Sequence, residues 1–571
     1  MFQVVFVILI ILLPLVESLN RQAGFNLLLV GAVLTSFTLL KKSIALDFSD
    51  KLFILFLIGI TISTLFSVSY GRSFSELLRY FSYFAILIGL KNSTSLTIRR
   101  NLFVYSTIIA SVLLIIASMV TAIPWLRNSI GMKVPTSGMN LFYPVFGHNR
   151  ISDILLFSVP IAFALIKIHK GKTRAILFCL SIIFAGMLLY SFSRAGLAAL
   201  LLSGFIVGSA SQKFLKPMGI ITVLFLIISV VYSNFIADPK ISGTIPKGIY
   251  KPFIFEKRAQ YWDQAARSII EKPFLGWGLD TFRYTSLRLQ KEPVHWSWYT
   301  HNHFLELVSE VGIPAGILFI IYISWVIRTL IHAVRAHNGI SAAILVGLFA
   351  STLHSLVDYD WQFYSVLLYA FTEFALFPRT HSNRFSFDST RIVAAWVAVF
   401  VVLVLLKWSF PSEGEAFIKK AQREEQGSTL SQPITTLLRG TNVDNANYQL
   451  YMQLGRLFEQ NGNFIQAHKQ YDTVLFLNPL ESFEIVKRDF KLYLKEAQTY
   501  LESGNINDSA ASITNAYTRY PYIHREMHFN SYLADFDDLR VAFKRTEASA
   551  IIEEYLTQST AKIDEVGWVY R

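Results

Sequence analysis

Polar residues that could carry chemistry gather in one segment of an otherwise apolar chain, residues 237–312. Within it, Arg258-Ala-Gln-Tyr-Trp-Asp-Gln-Ala265 predicts an amphipathic helix, and Pro-Phe-Leu-Gly-Trp-Gly at 273–278 ends it in a tight turn. Tyr-Thr-His-Asn-His at 299–303 then leads into an apolar stretch. His301 is therefore expected near the start of a helix, at a membrane boundary.

The chemistry of this segment cannot depend directly on a nucleotide. The sequence contains neither a Walker phosphate-binding loop nor a dinucleotide-binding glycine fingerprint after a strand. Because the segment is predicted to be external, a bond made there needs a donor that arrives already activated.

Metal chemistry is not expected. Asp358-Tyr-Asp360 resembles a divalent-metal pair, but it has no nucleotide context, and its predicted outward turn favours solvated carboxylates. No His, Cys and Asp cluster has zinc spacing, and a single cysteine, Cys179, excludes a thiolate cage. Glu306 and Glu310 lie one helical turn apart and either orient His301 or face water. The sequence therefore predicts no metal and no cofactor.

The composition indicates that a membrane holds these residues in place. Apolar residues make up 53% of the 571 residues and charged residues only 16%, whereas soluble proteins carry about a quarter charged residues. This argues against a soluble enzyme. The net charge of +13 fits basic cytoplasmic loops better than nucleic-acid binding.

Apolar stretches recur along the first part of the chain, and each approaches the length that crosses the hydrocarbon core. They predict about 12–13 spans of about 20 residues each. The predicted spans are 2–18, 24–40, 52–69, 75–90, 102–123, 151–168, 175–192, 195–210, 217–236, 313–331, 339–356, 362–378 and 391–408.

Basic residues predict the orientation, because they fall in alternate connections between spans and such connections are cytoplasmic. They are Lys41, Lys42, Lys91, Arg99, Arg100, Lys170, Lys172, Arg174, Lys213, Lys216, Arg328, Arg335, Arg379, Arg384 and Arg391. The connections 124–147 and 237–312, the turn at 358–361 and the tail after 408 are then external. We therefore expect a multi-pass protein of the cell (inner or cytoplasmic) membrane with an extracytoplasmic C-terminal domain.

The tail from about residue 411 is polar, helix-forming and without further spans. Two stretches share the tetratricopeptide helix-turn-helix spacing: Gly455, Phe458, Gly462, Ala467, Tyr471 and Pro479, and Ala497, Tyr500, Gly504, Ser509, Ile513 and Pro521. A generic helical bundle is the alternative. The predicted fold class is thus all-α, with a polytopic membrane helix bundle over 1–410 and a tetratricopeptide-like repeat domain over 411–571.

Four motifs in the membrane part resemble, in order, those of the O-antigen ligase and polymerase superfamily. They are Gly147-His148-Asn149-Arg150, Ser193-Arg194-Ala195-Gly196, the Arg258–Ala265 helix with its Pro-x-Leu-Gly-x-Gly turn, and His301-Asn302-x-x-Leu305 with Glu310, Gly312 and Gly316. The similarity covers roughly residues 50–380.

This resemblance implies an enzyme that moves a glycan from a polyprenyl diphosphate to an acceptor hydroxyl at the outer leaflet, without nucleotide or metal. By the same resemblance, Arg194 and Arg258 neutralise the leaving diphosphate, and His301 removes the proton of the incoming hydroxyl. Direct displacement would invert the anomeric centre. Asn302 and Trp262 are expected to bind substrate with the two arginines.

Simpler structural explanations compete with these roles. Arg194 could extend to the membrane interface, Arg258 could be a solvated charge, and His301 could bond to backbone at a helix end. His303 is predicted to be structural, and His148 and His354 are weaker candidates. The aromatic residues Trp277, Trp296, Trp298, Tyr299 and Trp361 fit an interfacial belt, with stacking on sugar rings as the alternative.

The predicted function is lipid-linked glycan transfer, as a ligase, a polymerase or a protein O-oligosaccharyltransferase. These enzymes differ in the acceptor, which is a lipid, a glycan or a protein. The bilayer and a polyprenyl-diphosphate glycan donor are the expected partners, the repeats could recruit a protein, and no nucleic acid is expected. A transporter of lipid-linked glycan is the alternative, although no internal repeat is visible. A membrane-anchored scaffold would need far fewer spans.

Overall fold

The computed structural model describes residues 1–40, 44–132, 148–191, 193–209, 256–291, 295–335, 339–376, 390–409, 413–427, 429–480 and 483–519. In this part of the chain every regular element is a helix, and no strand occurs. The predicted all-α fold class is confirmed.

The helices of the membrane part follow the apolar stretches of the sequence. They are α1 (Phe2–Leu19), α2 (Arg21–Phe37), α3 (Phe48–Leu65), α4 (Tyr70–Ser93), α5 (Leu96–Met132), α6 (His148–Ile166), α7 (Gly171–Tyr190), α8 (Arg194–Ser209), α9 (Glu256–Glu271), α11 (His303–Arg335), α12 (Gly339–His354), α13 (Tyr364–Phe374) and α14 (Thr390–Ser409). The predicted span 217–236 lies outside the described residues.

Six helices of the described part are long and apolar enough to cross a membrane. They begin at Phe2, Phe48, Leu96, Gly171, His303 and Ala394. The protein is therefore a polytopic membrane protein. Helix α13 is shorter than the span predicted at 362–378: its 11 residues, all buried, reach only about 16 Å.

Basic residues predicted to be cytoplasmic meet at one end of the bundle. The ammonium group of Lys91 lies 2.6 Å from the Asp50 carboxylate at the start of α3. Arg99 and Arg100 each donate a 2.7 Å hydrogen bond to a backbone carbonyl just after α13. Arg99 and Arg100 thus place positive charge on the free carbonyls at the C-terminus of α13, a favourable arrangement. The ends of α4 and α13 and the starts of α3 and α5 lie together at this end of the bundle.

The chain divides into two compact units that do not coincide with a single cut in the sequence. The first unit comprises 1–67, 73–280 and 299–410, and the second comprises 68–72, 281–298 and 411–571. Part of the predicted external segment, 281–298, therefore clusters with the C-terminal tail.

The helices of the second unit lie in the tail and in segment 281–298. They are α10 (Phe282–Leu289), α15 (Gly414–Glu424), α16 (Ser431–Val443), α17 (Tyr448–Gln460), α18 (Phe464–Leu477), α19 (Phe483–Glu502) and α20 (Ile506–Arg519). Gly462 and Gly504 adopt φ of 71° and 79° at the turns between α17 and α18 and between α19 and α20. Assignment of these pairs to tetratricopeptide repeats stays a prediction.

One buried carboxylate joins distant segments of the second unit. Asp444 accepts hydrogen bonds from the Tyr284 hydroxyl at 3.0 Å, the Gly414 amide at 3.2 Å and the Asn447 side chain at 3.2 Å. The Arg72 guanidinium in turn donates to the Tyr284 hydroxyl at 2.9 Å. Residues from three separate parts of the chain thus share one polar cluster.

Candidate active site

Arg258 and His301 meet at one carboxylate, that of Asp358. Arg258 Nη2 lies 3.1 Å from Asp358 Oδ2, and His301 Nδ1 lies 3.2 Å from Asp358 Oδ1. The Asp358 side chain is 1% exposed, whereas those of Arg258 and His301 are 27% and 23% exposed. The carboxylate is therefore enclosed, while the two cationic side chains remain accessible to a ligand.

The charge state of Asp358 determines which nitrogen of His301 is available. Burial raises the pKa of the Asp358 carboxyl, but the hydrogen bond from His301 and the charges of His301, His354 and Arg258 outweigh it and lower that pKa to about 2. An ionised carboxylate only accepts hydrogen bonds, so Nδ1 of His301 carries a hydrogen. In neutral His301 the lone pair then lies on Nε2, the nitrogen turned away from Asp358.

Aromatic rings fix the plane of the His301 imidazole. Tyr261 stacks on it with ring centroids 5.8 Å apart, and Tyr359 meets it edge-on at 4.8 Å. Tyr299 stacks on Tyr359 at 4.8 Å and accepts a 2.6 Å hydrogen bond from Arg21. These contacts restrict the imidazole to one orientation.

His301 occupies an unusual backbone conformation, with φ of 55°. The adjoining loop is held by Glu306, which accepts a 2.7 Å hydrogen bond from the Thr300 amide and is 1% exposed. Asn302 Oδ1 caps the following helix by accepting from the Leu305 amide at 3.0 Å. Positive φ in a non-glycine residue costs free energy and is concentrated at functional sites. Because Glu306 is buried and hydrogen-bonded to Thr300, it positions His301 through the loop and does not face water.

Two glycines lock the turn after α9 onto helix α11. Gly276 and Gly312 have φ of 65° and 81°, and the Gly312 conformation kinks α11. A Cβ at Gly276 would overlap the Glu310 carbonyl, and a Cβ at Gly312 would overlap the Phe274 carbonyl. The glycines of the two motifs therefore set how α9, which carries Arg258, packs on α11, which follows His301.

Replacing Gly312 by Ala is expected to destabilise the protein by at least about 1–2 kcal/mol. A left-handed conformation costs alanine free energy, and its methyl group would overlap rigid backbone. The measurement is the melting temperature of the detergent-purified protein. Gly186→Ala is the matched control, since a Cβ there meets no atom within 4 Å. Equal melting temperatures for the Gly312 variant and the wild type would contradict this account.

A groove opens beside Arg258. Its volume is about 240 Å³, and its walls are otherwise apolar, including Ala195, Ala198 and Leu202 of α8, Leu353 of α12 and Val357. Small side chains on α8 leave room for the groove. A guanidinium at the edge of an apolar groove can hold an anionic headgroup while the groove accommodates a hydrocarbon chain.

The remaining predicted residues are only partly placed. Arg194 is the first residue of α8, but its side chain, like those of His148 and Asn149, lies outside the described part. Trp262 lies half-buried on α9. Arg150 contacts Glu17 at 2.7 Å and is 6% exposed.

Other predicted roles are corrected or supported by burial. Asp358 and Asp360 are each 1% exposed, so the prediction of a solvated turn is wrong. Trp361 is fully buried and donates to Ser351 at 3.0 Å, so it belongs to no interfacial belt. His303 packs in the core against Trp361, as predicted for a structural residue. Asp358 was not predicted as a partner of both Arg258 and His301; its only signal in the sequence was an acidic residue in a short turn between apolar stretches.

Comparison with known proteins agrees with the motif resemblance. Residues 179–320, about a quarter of the chain, match the family described as O-antigen ligase. No curated protein matches the chain. The matched segment contains Arg194, Arg258 and His301, but not Asp358. The match supports the O-antigen ligase superfamily and a membrane function of the glycan ligase or polymerase type.

Proposed function

We propose that this protein transfers a glycan from a polyprenyl-diphosphate donor to an acceptor hydroxyl at the external face of the cell membrane. The observation that carries the proposal is the joint contact of Arg258 and His301 with buried Asp358, at the edge of an apolar groove. A lipid-linked anionic donor requires these parts together: an apolar groove for the lipid, a cation for the diphosphate and a base for the acceptor.

The reaction is a direct displacement. His301 Nε2 takes the proton from the acceptor hydroxyl as its oxygen bonds to the anomeric carbon. The bond from that carbon to the diphosphate oxygen breaks, and polyprenyl diphosphate leaves with its added negative charge neutralised by Arg258 and Arg194. The anomeric configuration inverts, and no nucleotide or metal takes part at the reacting atoms.

Asp358 has the positioning role in this scheme. Its Oδ1 holds His301 by Nδ1, and its Oδ2 holds Arg258. The carboxylate also stabilises the imidazolium that forms when His301 accepts the proton. We infer that Asn302 acts through the helix cap, and that Trp262 and Arg194 complete the donor site.

The second unit supports an external C-terminal domain. Segment 281–298 and the tail both contribute to the Asp444 cluster, so they occupy the same side of the membrane. A repeat-like domain there could recruit a glycan, lipid or protein acceptor. A protein O-oligosaccharyltransferase is the form of the reaction in which that acceptor is a protein.

Arg258→Ala is expected to lower transfer by about 10²–10³-fold, because a group that neutralises the leaving diphosphate is lost. The measurement is the initial rate with purified protein. Arg267→Ala is the control, since Arg267 lies on the same helix and pairs with Asp263. Equal rates for the Arg258 variant and the wild type would contradict the assignment.

The decisive experiment supplies purified full-length protein with a polyprenyl-diphosphate glycan and, in separate reactions, a lipid, a glycan and a protein acceptor. We expect product without added nucleotide, and the acceptor that is consumed identifies the enzyme as a ligase, a polymerase or a protein transferase. A transporter of lipid-linked glycan would instead move the donor across vesicles and form no new glycosidic bond. That outcome would overturn the proposal.

A further inference from the structure

A second polar cluster lies buried within the first unit and has no part in the proposed reaction. His354 Nδ1 lies 2.9 Å from Asp360 Oδ2 and 3.4 Å from Asp153 Oδ1. Atoms of all three residues that could bind a metal lie within 4.8 Å of one another. The three side chains are at most 1% exposed.

Hydrogen bonding within the described residues does not satisfy this cluster. Nδ1 of His354 can carry one hydrogen, yet it faces two carboxylates. His354 Nδ1 is oriented to hydrogen-bond Asp153. Neither carboxylate oxygen of Asp360 has a hydrogen-bond partner among the described residues. A buried carboxylate without hydrogen bonds is costly unless a cation compensates it. Asp360 Oδ2 lies against His354 Nδ1, and no hydrogen bond among the described residues uses its lone pairs, which a ligand could therefore take.

The surroundings orient these groups as outer partners orient metal ligands. Ser351 donates a 3.1 Å hydrogen bond to Asp153 Oδ2 and accepts one of 3.0 Å from Trp361. On the other side of the ring, Ser193 Oγ lies 3.4 Å from His354 Nε2. Metal-bound histidines and carboxylates characteristically have such second contacts, which fix the ligand orientation.

We propose that Asp153, His354 and Asp360 bind one small divalent first-row cation, such as Zn²⁺ or Mn²⁺. Two carboxylates and a neutral imidazole carry a charge that a divalent ion cancels. Tetrahedral ligands at 2.0–2.2 Å from a metal lie about 3.3–3.6 Å apart. The distance from His354 Nδ1 to Asp153 Oδ1, 3.4 Å, falls in this range, and the distance to Asp360 Oδ2, 2.9 Å, must lengthen by about 0.4 Å when an ion binds. The three ligands come from α6, the end of α12 and the following turn, so their spacing in the sequence resembles no zinc motif.

The role of the bound cation is structural. It ties α6 to the end of α12, where the Asp358 amide donates a 2.9 Å hydrogen bond to the His354 carbonyl. The ion thereby stabilises the turn that carries Asp358, without touching donor or acceptor. The site does not depend on the proposed reaction, because its occupancy is measured without any glycan.

The test is the metal content of purified full-length protein, measured by inductively coupled plasma mass spectrometry after purification without a histidine tag. We expect about one equivalent of a first-row metal in the wild type and at least a tenfold loss in Asp360→Asn and His354→Gln. Glu373→Gln is the control: Glu373 is another fully buried carboxylate whose oxygens have no hydrogen-bond partner among the described residues, and its loss should leave the metal in place.

A second measurement avoids dependence on variants that fail to fold. Wild-type protein stripped with a chelator should melt at a lower temperature and recover when Zn²⁺ or Mn²⁺ is added, but not when Mg²⁺ is added. Wild-type protein that contains less than a tenth of an equivalent of metal and does not respond to either ion would overturn the proposal. It would then follow that protons balance the charge of the two carboxylates.

Discussion

Replacing His301 by Asn is expected to lower glycan transfer by about 10²–10⁴-fold while the protein still inserts and melts as the wild type does. Asparagine tolerates a left-handed backbone better than other non-glycine residues, so the φ of 55° can persist. Its amide has no basic nitrogen, and the acceptor hydroxyl then loses its proton acceptor. In an alanine variant, backbone strain at this position would add to the loss of the base. The Asn variant therefore tests the base more directly.

The control for this variant is His169→Asn. His169 is engaged by Tyr105 and the Leu165 carbonyl, away from the candidate site, so its loss should leave the rate within about twofold of the wild type. Initial rates, quantified as transferred glycan, compare the two variants. If His301→Asn transferred glycan at the wild-type rate, His301 would be a structural residue and another base would have to be sought.

The second large effect is expected for Asp358→Asn, again about 10²–10⁴-fold on transfer. The amide keeps the size of the side chain but removes its charge. It can donate a hydrogen bond to His301 Nδ1, which places the imidazole hydrogen on Nε2, where the lone pair is needed. Arg258 also loses the ionic partner that holds it at 3.1 Å. Asp263→Asn is the control, because Asp263 forms a similar, partly exposed pair with Arg267 on helix α9.

The variant with both substitutions shows whether Asp358 serves transfer through His301 or independently of it. If Asp358 works by orienting His301, then the Asp358→Asn/His301→Asn protein should transfer glycan no more slowly than the slower single variant. Losses that multiply would show that the carboxylate serves transfer by a separate route, for example through Arg258 alone. Melting temperatures measured in parallel identify any variant whose loss comes from unfolding.

Helix positions in the membrane part were predictable because the bilayer imposes a simple rule on the sequence. Every span must satisfy its backbone internally and present apolar side chains over a limited length, so long apolar runs correspond to helices. The rule fails for α13, whose 11 residues are enclosed by other helices rather than by lipid. A buried short helix and a membrane span have similar composition, and length alone could not separate them.

The division into units was less predictable. A boundary at residue 410 follows the change in composition, yet 68–72 and 281–298 cluster with the tail. Asp444 shows why: it is fully buried and receives hydrogen bonds from residues 160 and 30 positions away along the chain. Residues so far apart in the sequence form no local pattern from which their contact could be predicted.

By itself, the sequence of this protein determined its helical class, its apolar stretches and the motif residues Arg258 and His301, because these depend on local composition and spacing. Only the tertiary structure decided that Asp358 holds both side chains and that Asp153, His354 and Asp360 converge. Asp358 meets partners 57 and 100 positions away, and whether a carboxylate is solvated or enclosed depends on such distant neighbours. Burial and ion pairing are properties of the packed chain, which is why the sequence predicted a solvated turn at Asp358 and Asp360.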